Sequence, residues 1–269
     1  MNILITSAGR KVWLIKAFQE AGAHVIACDL DPLAPALYVA DEKMVGNPSE
    51  ICKCYDAIVP TRDAELLNFS TQFSNAIVSK SEAIIHTFKC NFNYICKINN
   101  FPFPVTIPPK MYFVKPLVGA GSRGVSKIDG INNIIQEFID WPEYTIDVFI
   151  HPNGTPISAV PRERIKIING ESWTSKTVKC PALIDASLDL CSKIGLIWHS
   201  TVQAFYNGKD IKFIEVMNRF GGGAPLSFAA GANSPMWIVD ILKGKKVKPH
   251  IGEYVADLTM AKYTEEVFF

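Results

Sequence analysis

Four prolines between residues 99 and 109 divide this chain of 269 residues into two parts with different patterns. Proline fixes the backbone angle φ and has no N–H to donate. The segment therefore cannot continue a regular helix, and we predict an extended linker. The part before it alternates apolar runs with a helical pattern, whereas the part after it is rich in turn signals. We expect a domain boundary at this linker.

The part before the linker has the pattern of a parallel α/β unit. Residues 3–6 and 24–28 are apolar runs that predict buried strands, and residues 11–21 between them have the periodicity of a helix. Further strands are predicted at residues 57–59 and 76–78, with a helix between them. Parallel α/β organisation is therefore expected up to about residue 85.

Gly9 and Asp29 follow the first two predicted strands and leave a second interpretation of this unit open. A glycine and an acidic residue at these places are a partial match to a dinucleotide site, which would make the chain an oxidoreductase. The full fingerprint needs further glycines at the start of a helix, and they are missing here. A structural turn is the alternative.

Three turn signals lie between strand-like runs in the second part of the chain. Residues 169–170 and 207–208 are Asn-Gly pairs, and residues 152–154 read Pro-Asn-Gly. Asn-Gly supplies the positive φ angles that two-residue hairpin turns require. This part is therefore predicted to be α+β and mostly antiparallel.

A glycine-rich loop at residues 119–124 follows a predicted strand that contains Lys115. Glycines leave backbone N–H groups free to approach an anion, and the lysine adds a positive charge. The loop does not open a helix and no Gly-Lys-Ser/Thr closes it, so it is neither a dinucleotide fingerprint nor a P-loop. We predict that it binds nucleotide phosphates; an ordinary glycine-rich hairpin is the alternative.

Glu215 lies inside an apolar run, where a carboxylate is costly unless it is paired or metal-bound. Gln203 on the preceding predicted strand could lie beside it across a hairpin. Oxygen ligands of this kind suit Mg²⁺, which takes phosphate oxygens as further ligands. The alternative is that Glu215 only forms an ion pair, with Arg219 or with a lysine. Arg219 precedes three glycines and could either stabilise phosphoryl charge or be solvated.

The composition and the lengths of the apolar segments favour a protein of the cytoplasm. With 27 basic and 26 acidic side chains the net charge is +1, which gives no electrostatic sign of nucleic acid or of an anionic membrane as a partner. No segment reaches the roughly 18 apolar residues of a membrane span, and the first residues lack the basic region of a signal peptide. The 7 cysteines include no Cys-x-x-Cys pair and are expected to be reduced.

Taken together, six segments resemble the ATP-grasp superfamily, in particular stand-alone ligases similar to the carbamoyl-phosphate synthase large subunit. The resemblance implies α/β and α+β structure, that is, an ATP-grasp fold with an amino-terminal Rossmann-like (pre-ATP-grasp) domain. Domains are implied at residues 1–88, 89–140 and 141–269. The six segments, whose order and spacing carry the resemblance over nearly the whole chain, are residues 2–10, 60–66, 114–124, 136–139, 143–148 and 215–223.

The resemblance implies an ATP-dependent carboxylate–amine ligase that forms an acyl phosphate and releases ADP and phosphate. ATP with Mg²⁺ or Mn²⁺ would be required, and a small carboxylate and an amine would be the substrates. A homodimer is compatible with it, whereas nucleic acid and membranes are not implied as partners. A catalytically weak nucleotide-binding partner or regulatory protein of the same fold is the main alternative.

The resemblance also implies roles for individual residues, each with plain surface or structural charge as its alternative. The nucleotide would be bound by Lys89, Lys115, Gly119, Gly121, Ser122, Gly124, Glu137, Phe138, Ile139 and Glu143. In that set the lysines contact phosphates, residues 137–139 contact adenine and Glu143 contacts the ribose. The metal would be held by Gln203, Glu215 and Asn218, and the catalytic or substrate-side cations would be Arg219, Arg162, Arg164 and Lys176.

One departure from the family pattern lies next to Glu215. The family usually reads Glu-x-Asn-Pro-Arg, whereas this chain has Met217 at the place of the asparagine and Asn218 at the place of the proline. Methionine is a poor ligand for Mg²⁺. Three outcomes are open: a bulge brings Asn218 to the metal, one Mg²⁺ is held less firmly, or catalysis is impaired.

Overall fold

The computed structural model describes residues 1–50, 54–104, 112–116 and 133–269, and of residues 49, 112–116 and 133–135 it describes the backbone only. Within these ranges the chain forms two main sheets and a small two-stranded one. Among the described helices, none is both long enough and apolar enough to cross a membrane.

The first part of the chain contains β1 (Asn2–Thr6), α1 (Val12–Glu20), β2 (His24–Asp29), β3 (Glu42–Val45), β4 (Ala57–Pro60), α2 (Asp63–Gln72), α3 (Ser81–Thr87) and α4 (Lys89–Ile98). Its sheet is parallel, with strand order β3-β2-β1-β4, as the sequence predicts for this part of the chain. The helix α1 ends before Gly22, whose φ of 83° is in the left-handed region that glycine adopts without strain.

Two details of this sheet differ from the sequence prediction. β3 was not predicted, because it is an edge strand with mostly exposed side chains and so lacks an apolar pattern. The prediction of a strand at residues 76–78 is wrong. A single parallel bridge joins Ala76 to Ile58, and no strand forms there.

The second part contains, with its two-stranded sheet first, β5 (Tyr112–Pro116), β6 (Asn133–Glu137), β7 (Glu143–Ile150), β8 (Pro156–Ile168), β9 (Glu171–Thr177), α5 (Pro181–Lys193), β10 (Trp198–Tyr206), β11 (Ile211–Met217), α6 (Ala224–Ala229), α7 (Ser234–Leu242) and β12 (Thr259–Ala261). Six of these strands form an antiparallel sheet with order β11-β10-β7-β8-β9-β12. The three predicted turns are confirmed as the β7–β8, β8–β9 and β10–β11 connections, and Asn169 and Gly170 both have positive φ.

The hydrophobic core joins the two parts of the chain. One face of the six-stranded sheet packs against α5, with Ile146, Val202 and Phe213 fully buried. A second cluster runs from the parallel sheet into the carboxy-terminal part, where the rings of Phe18 and Phe220 meet edge to face at 6.0 Å. Burying such a ring contributes about 1.5–3 kcal/mol, so this contact holds the two sheets together. The domain limits at residues 88 and 140 stay predictions.

Candidate active site

A row of polar side chains crosses the six-stranded sheet on the face opposite α5. Gln203 of β10 lies opposite both Thr145 of β7 and Glu215 of β11, and Thr145 lies opposite Arg162 of β8. Directly opposed residues of antiparallel strands point to the same face of a sheet. The predicted pairing of Gln203 with Glu215 across a hairpin is therefore confirmed, while their role as metal ligands stays a prediction.

Lys89 lies beside Glu215, at that end of the row of polar side chains. It is the first residue of α4, and its Nζ lies 3.4 Å from Glu215 Oε2, with the two side chains 16% and 19% exposed. The ion pair with a lysine that the sequence left open for Glu215 is thus present. It also brings together a predicted phosphate ligand and a predicted metal ligand.

Arg164 connects Gln203 with Glu143. Its Nη1 forms an ion pair with the Glu143 carboxylate and lies 3.4 Å from Gln203 Oε1. Burial raises the pKa of Glu143, Arg164 opposes that rise, and Glu215 adds to it. Glu143 with Arg164 and Glu215 with Lys89 thus make the face alternate anionic with cationic groups.

The donor set of this face fits one divalent cation with few protein ligands. Glu215 and Gln203 offer a carboxylate and an amide oxygen, both of which Mg²⁺ accepts, and Lys89 and Arg164 now occupy the positions beside those oxygens. The Met217 sulfur instead accepts from Arg219 Nη2 at 3.1 Å. In the part of the chain that the structure describes, no group of three or more His, Cys, Asp or Glu side chains could hold a metal by itself.

Asn218 points into the protein rather than along the polar row. It is 1% exposed, its amide oxygen accepts from the Ser79 backbone N–H at 2.7 Å, and its amide nitrogen donates to Ile197 O at 3.0 Å and Ser200 Oγ at 2.9 Å. To ligate a metal, Asn218 would have to give up these bonds. Its assignment as a ligand stays a prediction, and the geometry supports a structural role.

We expect the Asn218→Ala variant to lose about 1–3 kcal/mol of the free energy of unfolding, because it leaves the buried Ser79 N–H without an acceptor. Urea unfolding measures this loss. The Mg²⁺ dependence of the same variant should be unchanged. A variant of native stability with a raised Mg²⁺ requirement would instead establish Asn218 as a metal ligand.

Arg162 is also enclosed by protein. Its guanidinium forms a bidentate ion pair with Asp147, at 2.8 Å from Nε to Oδ2 and 3.1 Å from Nη2 to Oδ1, and the two side chains are 1% and 2% exposed. Ser227 Oγ donates to the same carboxylate at 2.6 Å, and His199 Nε2 lies 3.7 Å from it. Gly223 leaves the space for the guanidinium, since a Cβ there would lie 2.2 Å from Arg162 Nη1.

Arg219 connects the polar face with the first sheet. Its Nε and Nη2 donate to the two carboxylate oxygens of Asp63 at 2.9 and 2.8 Å, and Asp63 begins α2 directly after β4. Arg219 follows the end of β11, so this fork joins the end of the strand that carries Glu215 to the carboxyl edge of the parallel sheet.

The remaining predicted residues are less closely grouped. Lys115 lies on β5 opposite Ile134, and only its backbone is described. The predicted loop residues Gly119, Gly121, Ser122 and Gly124 lie outside the described residues. Lys176 is opposite Glu163, in the register that places it on the other face of the sheet, and pairs with the exposed Asp257 at 3.3 Å.

The predicted adenine contacts lie at the end of β6. Glu137 forms an ion pair with Lys212, whose ammonium is 5.5 Å from the ring centre of Trp141, and Phe138 is 54% exposed. Ile139, the third residue of this set, follows directly and is half-buried. A cleft of about 630 Å³ beside them is lined by Pro102, Trp141, Lys209, Asp210, Ile211 and Lys212.

Both oxygens of the Asp29 carboxylate accept hydrogen bonds from backbone N–H groups. The N–H of Gly9 donates to Oδ2 at 2.8 Å, and the N–H of Asp31 donates to Oδ1 at 2.9 Å. Both oxygens are thereby used to hold the loops that follow β1 and β2, so the geometry supports the structural interpretation of Gly9 and Asp29 over a dinucleotide site.

Two sequence families match the chain. Residues 131–266 match the family described as ATP-grasp in the biosynthetic pathway with Ter operon, which is 136 of the 269 residues. Residues 3–76 match the PylC-like amino-terminal domain. No curated protein sequence matches the chain.

Solved structures share the fold at low sequence identity. The biotin carboxylase domain of 2-oxoglutarate carboxylase from Hydrogenobacter thermophilus, solved with MgADP and bicarbonate, is 15% identical, with a TM-score of 0.74 over 96% of this chain and 73% of that one. N5-carboxyaminoimidazole synthetase from Staphylococcus aureus, solved with ADP, is 14% identical, with a TM-score of 0.74 over 92% and 78%. Biotin carboxylase from Campylobacter jejuni is 15% identical, with a TM-score of 0.71 over 95% and 73%. These matches confirm the predicted fold class.

Proposed function

The chain belongs to the ATP-grasp family, and from this premise we propose that it is an ATP-dependent ligase that joins a small carboxylate to an amine. The observation that carries the proposal is the row of Gln203 and Glu215 with Lys89 at its end. Mg·ATP requires oxygen ligands for the divalent metal ion and, beside them, a positively charged side chain for the phosphates.

In this proposal the polar face holds the phosphates of ATP. Mg²⁺, or Mn²⁺, on Gln203 and Glu215 would neutralise phosphate charge, and Lys89 would turn from Glu215 to a phosphate oxygen. Glu143 would accept from the ribose hydroxyls, and the cleft beside residues 137–139 would take the adenine. Lys115 and the glycine loop would cover the phosphates.

The chemistry needs position and charge rather than a covalent protein nucleophile. A carboxylate oxygen of the substrate forms a bond to the γ-phosphorus while the bond from phosphorus to the bridging oxygen breaks, so ADP leaves with that electron pair. The amine then attacks the acyl carbon, phosphate leaves and the amine loses a proton. Arg219, fixed at the edge of the face, would stabilise the charge on the transferred group.

A second candidate is a nucleotide-binding protein of the same fold that turns over slowly or not at all. The geometry at Met217 and Asn218 favours it, because the thioether contacts Arg219 and the amide is used in the interior. Both candidates bind Mg·ATP, and ADP release separates them. A homodimer and a cytoplasmic location also remain proposals.

Two measurements test the proposed function. Calorimetry should show binding of Mg·ATP and none of NAD, and tight NAD binding without ATP binding would contradict the proposal. A screen for ADP release with carboxylates and amines in pairs should then find turnover that needs both substrates. ATP binding without release of ADP by any pair would favour the second candidate.

The Lys89→Met variant should bind Mg·ATP about 10-fold or more weakly, because contacts between a charged side chain and an anion contribute about 1.5–3 kcal/mol. Lys97→Met is the matched control, since Lys97 is exposed on the same helix. Calorimetry of both variants measures the difference. Equal affinities would show that Lys89 only neutralises Glu215.

A further inference from the structure

Residues 262–269 run from the edge of the six-stranded sheet to the parallel sheet, and we call them the strap. Lys262 directly follows β12, which pairs with β9, and its backbone N–H donates to Trp173 O at 2.8 Å. At the other end of the strap the ring of Phe269 stacks on the ring of Tyr38, with the ring centres 3.4 Å apart and the planes 10° from parallel. The strap therefore has an anchor in each of the two main sheets.

The first anchor is Lys262, which lies against the run of glycines at residues 221–223. Its Nζ is 3.1 Å from Glu171 Oε2, and a Cβ at Gly222 would lie 3.3 Å from the same Nζ. The glycine thus leaves the space that the ammonium takes. The run of glycines follows Arg219, whose fork on Asp63 connects it to the carboxyl end of β4.

The second anchor is Tyr38, the last residue of a short 3-10 helix at Pro35–Tyr38 that follows β2. Within that helix the N–H of Ala36 donates to Gly9 O at 3.1 Å, and Gly9 follows β1. The Tyr38 hydroxyl also donates to Pro32 O at 2.8 Å. This anchor is therefore tied to the loops at the carboxyl ends of β1 and β2, which is the edge of a parallel sheet where ligands bind.

Between its anchors the strap is only weakly held. In the part of the chain that the structure describes, residues 263–268 form no hydrogen bond and no ion pair. Tyr263 and Phe268 are 79% and 91% exposed, and Phe269 itself is 68% exposed. A segment with so few and such exposed contacts detaches while the rest of the fold stays intact. The pairing of β12 with β9 would keep the base of the strap in place during that motion.

The proposed reaction needs both access to this edge and closure of it. The substrates have to enter the site, and water has to be kept from the acyl phosphate until the amine attacks. We propose that the strap is a gate: with Phe269 on Tyr38 it closes the carboxyl edge of the parallel sheet, and its release opens that edge to the substrates. This inference rests on the proposed function, and it assigns a means of regulation to the same site.

Limited digestion of the full chain with a protease that cleaves after glutamate tests the release of the strap, because Glu265 and Glu266 lie within it. Such cleavage requires the segment to detach. Tyr38→Ala and Phe269→Ala should be cut there about 2- to 10-fold faster than the unchanged protein, which is the range expected for the loss of one aromatic pair. Phe268→Ala, the adjacent exposed ring, is the matched control and should be cut at the unchanged rate. Equal rates for Phe269→Ala and the unchanged protein would overturn the proposal.

Release of ADP from Mg·ATP without any carboxylate or amine tests the gate itself, since water is then the acceptor of the phosphoryl group. Phe269→Ala should release ADP about 2- to 10-fold faster, because water reaches the phosphates more often when the strap is open. Tyr38→Phe keeps the stacked ring and should release ADP at the unchanged rate. Equal release by Phe269→Ala and the unchanged protein would overturn the gate.

The melting temperature and the affinity for Mg·ATP separate the remaining interpretations. The melting temperature of Phe269→Ala should stay within about 2 °C of the unchanged protein, because the ring is mostly exposed. A larger fall without faster ADP release would show that the strap only holds the two sheets together, which overturns the proposal. Cutting that depends on Phe269 without any binding of Mg·ATP would support the strap and contradict the proposed function. Binding of Mg·ATP with cutting that does not depend on Phe269 would do the reverse.

Discussion

Glu215→Gln is expected to reduce turnover by about 100-fold or more while leaving the fold intact. The substitution removes one formal charge from the predicted metal site with almost no change in volume. A change in a group that only supports a metal ligand already costs about 10–100-fold, and a change in the ligand itself should cost more. The glutamine keeps the volume of the side chain, and its amide oxygen can still accept a hydrogen bond from Lys89, so the cost in stability should be small. ADP release at saturating ATP, measured over a range of Mg²⁺ concentrations, gives the result.

Glu163→Gln is the matched control for this experiment. Glu163 lies on β8 one residue from Arg162, in the register that places it on the opposite face of the same sheet. Turnover by that variant should be unchanged. If Glu215→Gln remains active at ordinary Mg²⁺ concentrations, Glu215 is a structural partner of Lys89. A melting temperature that falls together with the activity would leave stability as the cause.

The sequence predicts those elements that have a local sequence pattern, such as a pair of turn residues or an alternation of apolar and polar side chains. The Asn-Gly pairs identify two hairpins in different ways. In the β8–β9 turn Asn169 and Gly170 both have positive φ, which few residues adopt in succession. In the β10–β11 turn only Gly208 of the pair has positive φ, and the Asn207 side chain instead accepts from the backbone N–H groups of Lys209 and Asp210. Once the β10–β11 hairpin is placed, the pairing of Gln203 with Glu215 follows from strand alternation. The edge strand β3 lacks such a signal, since its side chains are mostly exposed.

Contacts between distant parts of the chain could not be predicted in the same way. Arg219 and Asp63 are 156 residues apart, and Asn218 and Ser79 are 139 apart. No local pattern distinguishes an arginine that binds a phosphate from one that holds a carboxylate of another sheet. Asp147 did carry a usable signal, a carboxylate within an apolar strand, which is the same signal that identified Glu215.

Arg162→Met is expected to lower the free energy of unfolding by about 3–5 kcal/mol, which is the usual effect of removing one partner of a buried ion pair. The variant leaves the fully buried Asp147 carboxylate with Ser227 as its remaining close donor. Urea unfolding at neutral pH measures the loss. In the double variant Arg162→Met/Asp147→Leu the loss should be smaller than the sum of the two single losses, because no charge is left uncompensated. A native-like stability of Arg162→Met with altered turnover would instead support Arg162 as a substrate ligand.

The loss of unfolding free energy in Arg162→Met should also depend on pH, and the ion pair determines whether that loss grows or shrinks on acidification. Burial alone would raise the pKa of Asp147, but the guanidinium of Arg162, with His199 beside it, outweighs burial and holds that pKa below its ordinary value. In the unchanged protein this pair therefore stabilises the fold above the unfolded pKa of about 3.9, and the contribution is lost as the pH falls through the lower folded value. In Arg162→Met only Ser227 and His199 are left to oppose the effect of burial, so the pKa of Asp147 rises, and protonation of Asp147 stabilises the variant on acidification. The stability difference between the two proteins should then be largest near neutral pH and shrink toward pH 4, whereas a simple packing defect would leave it constant.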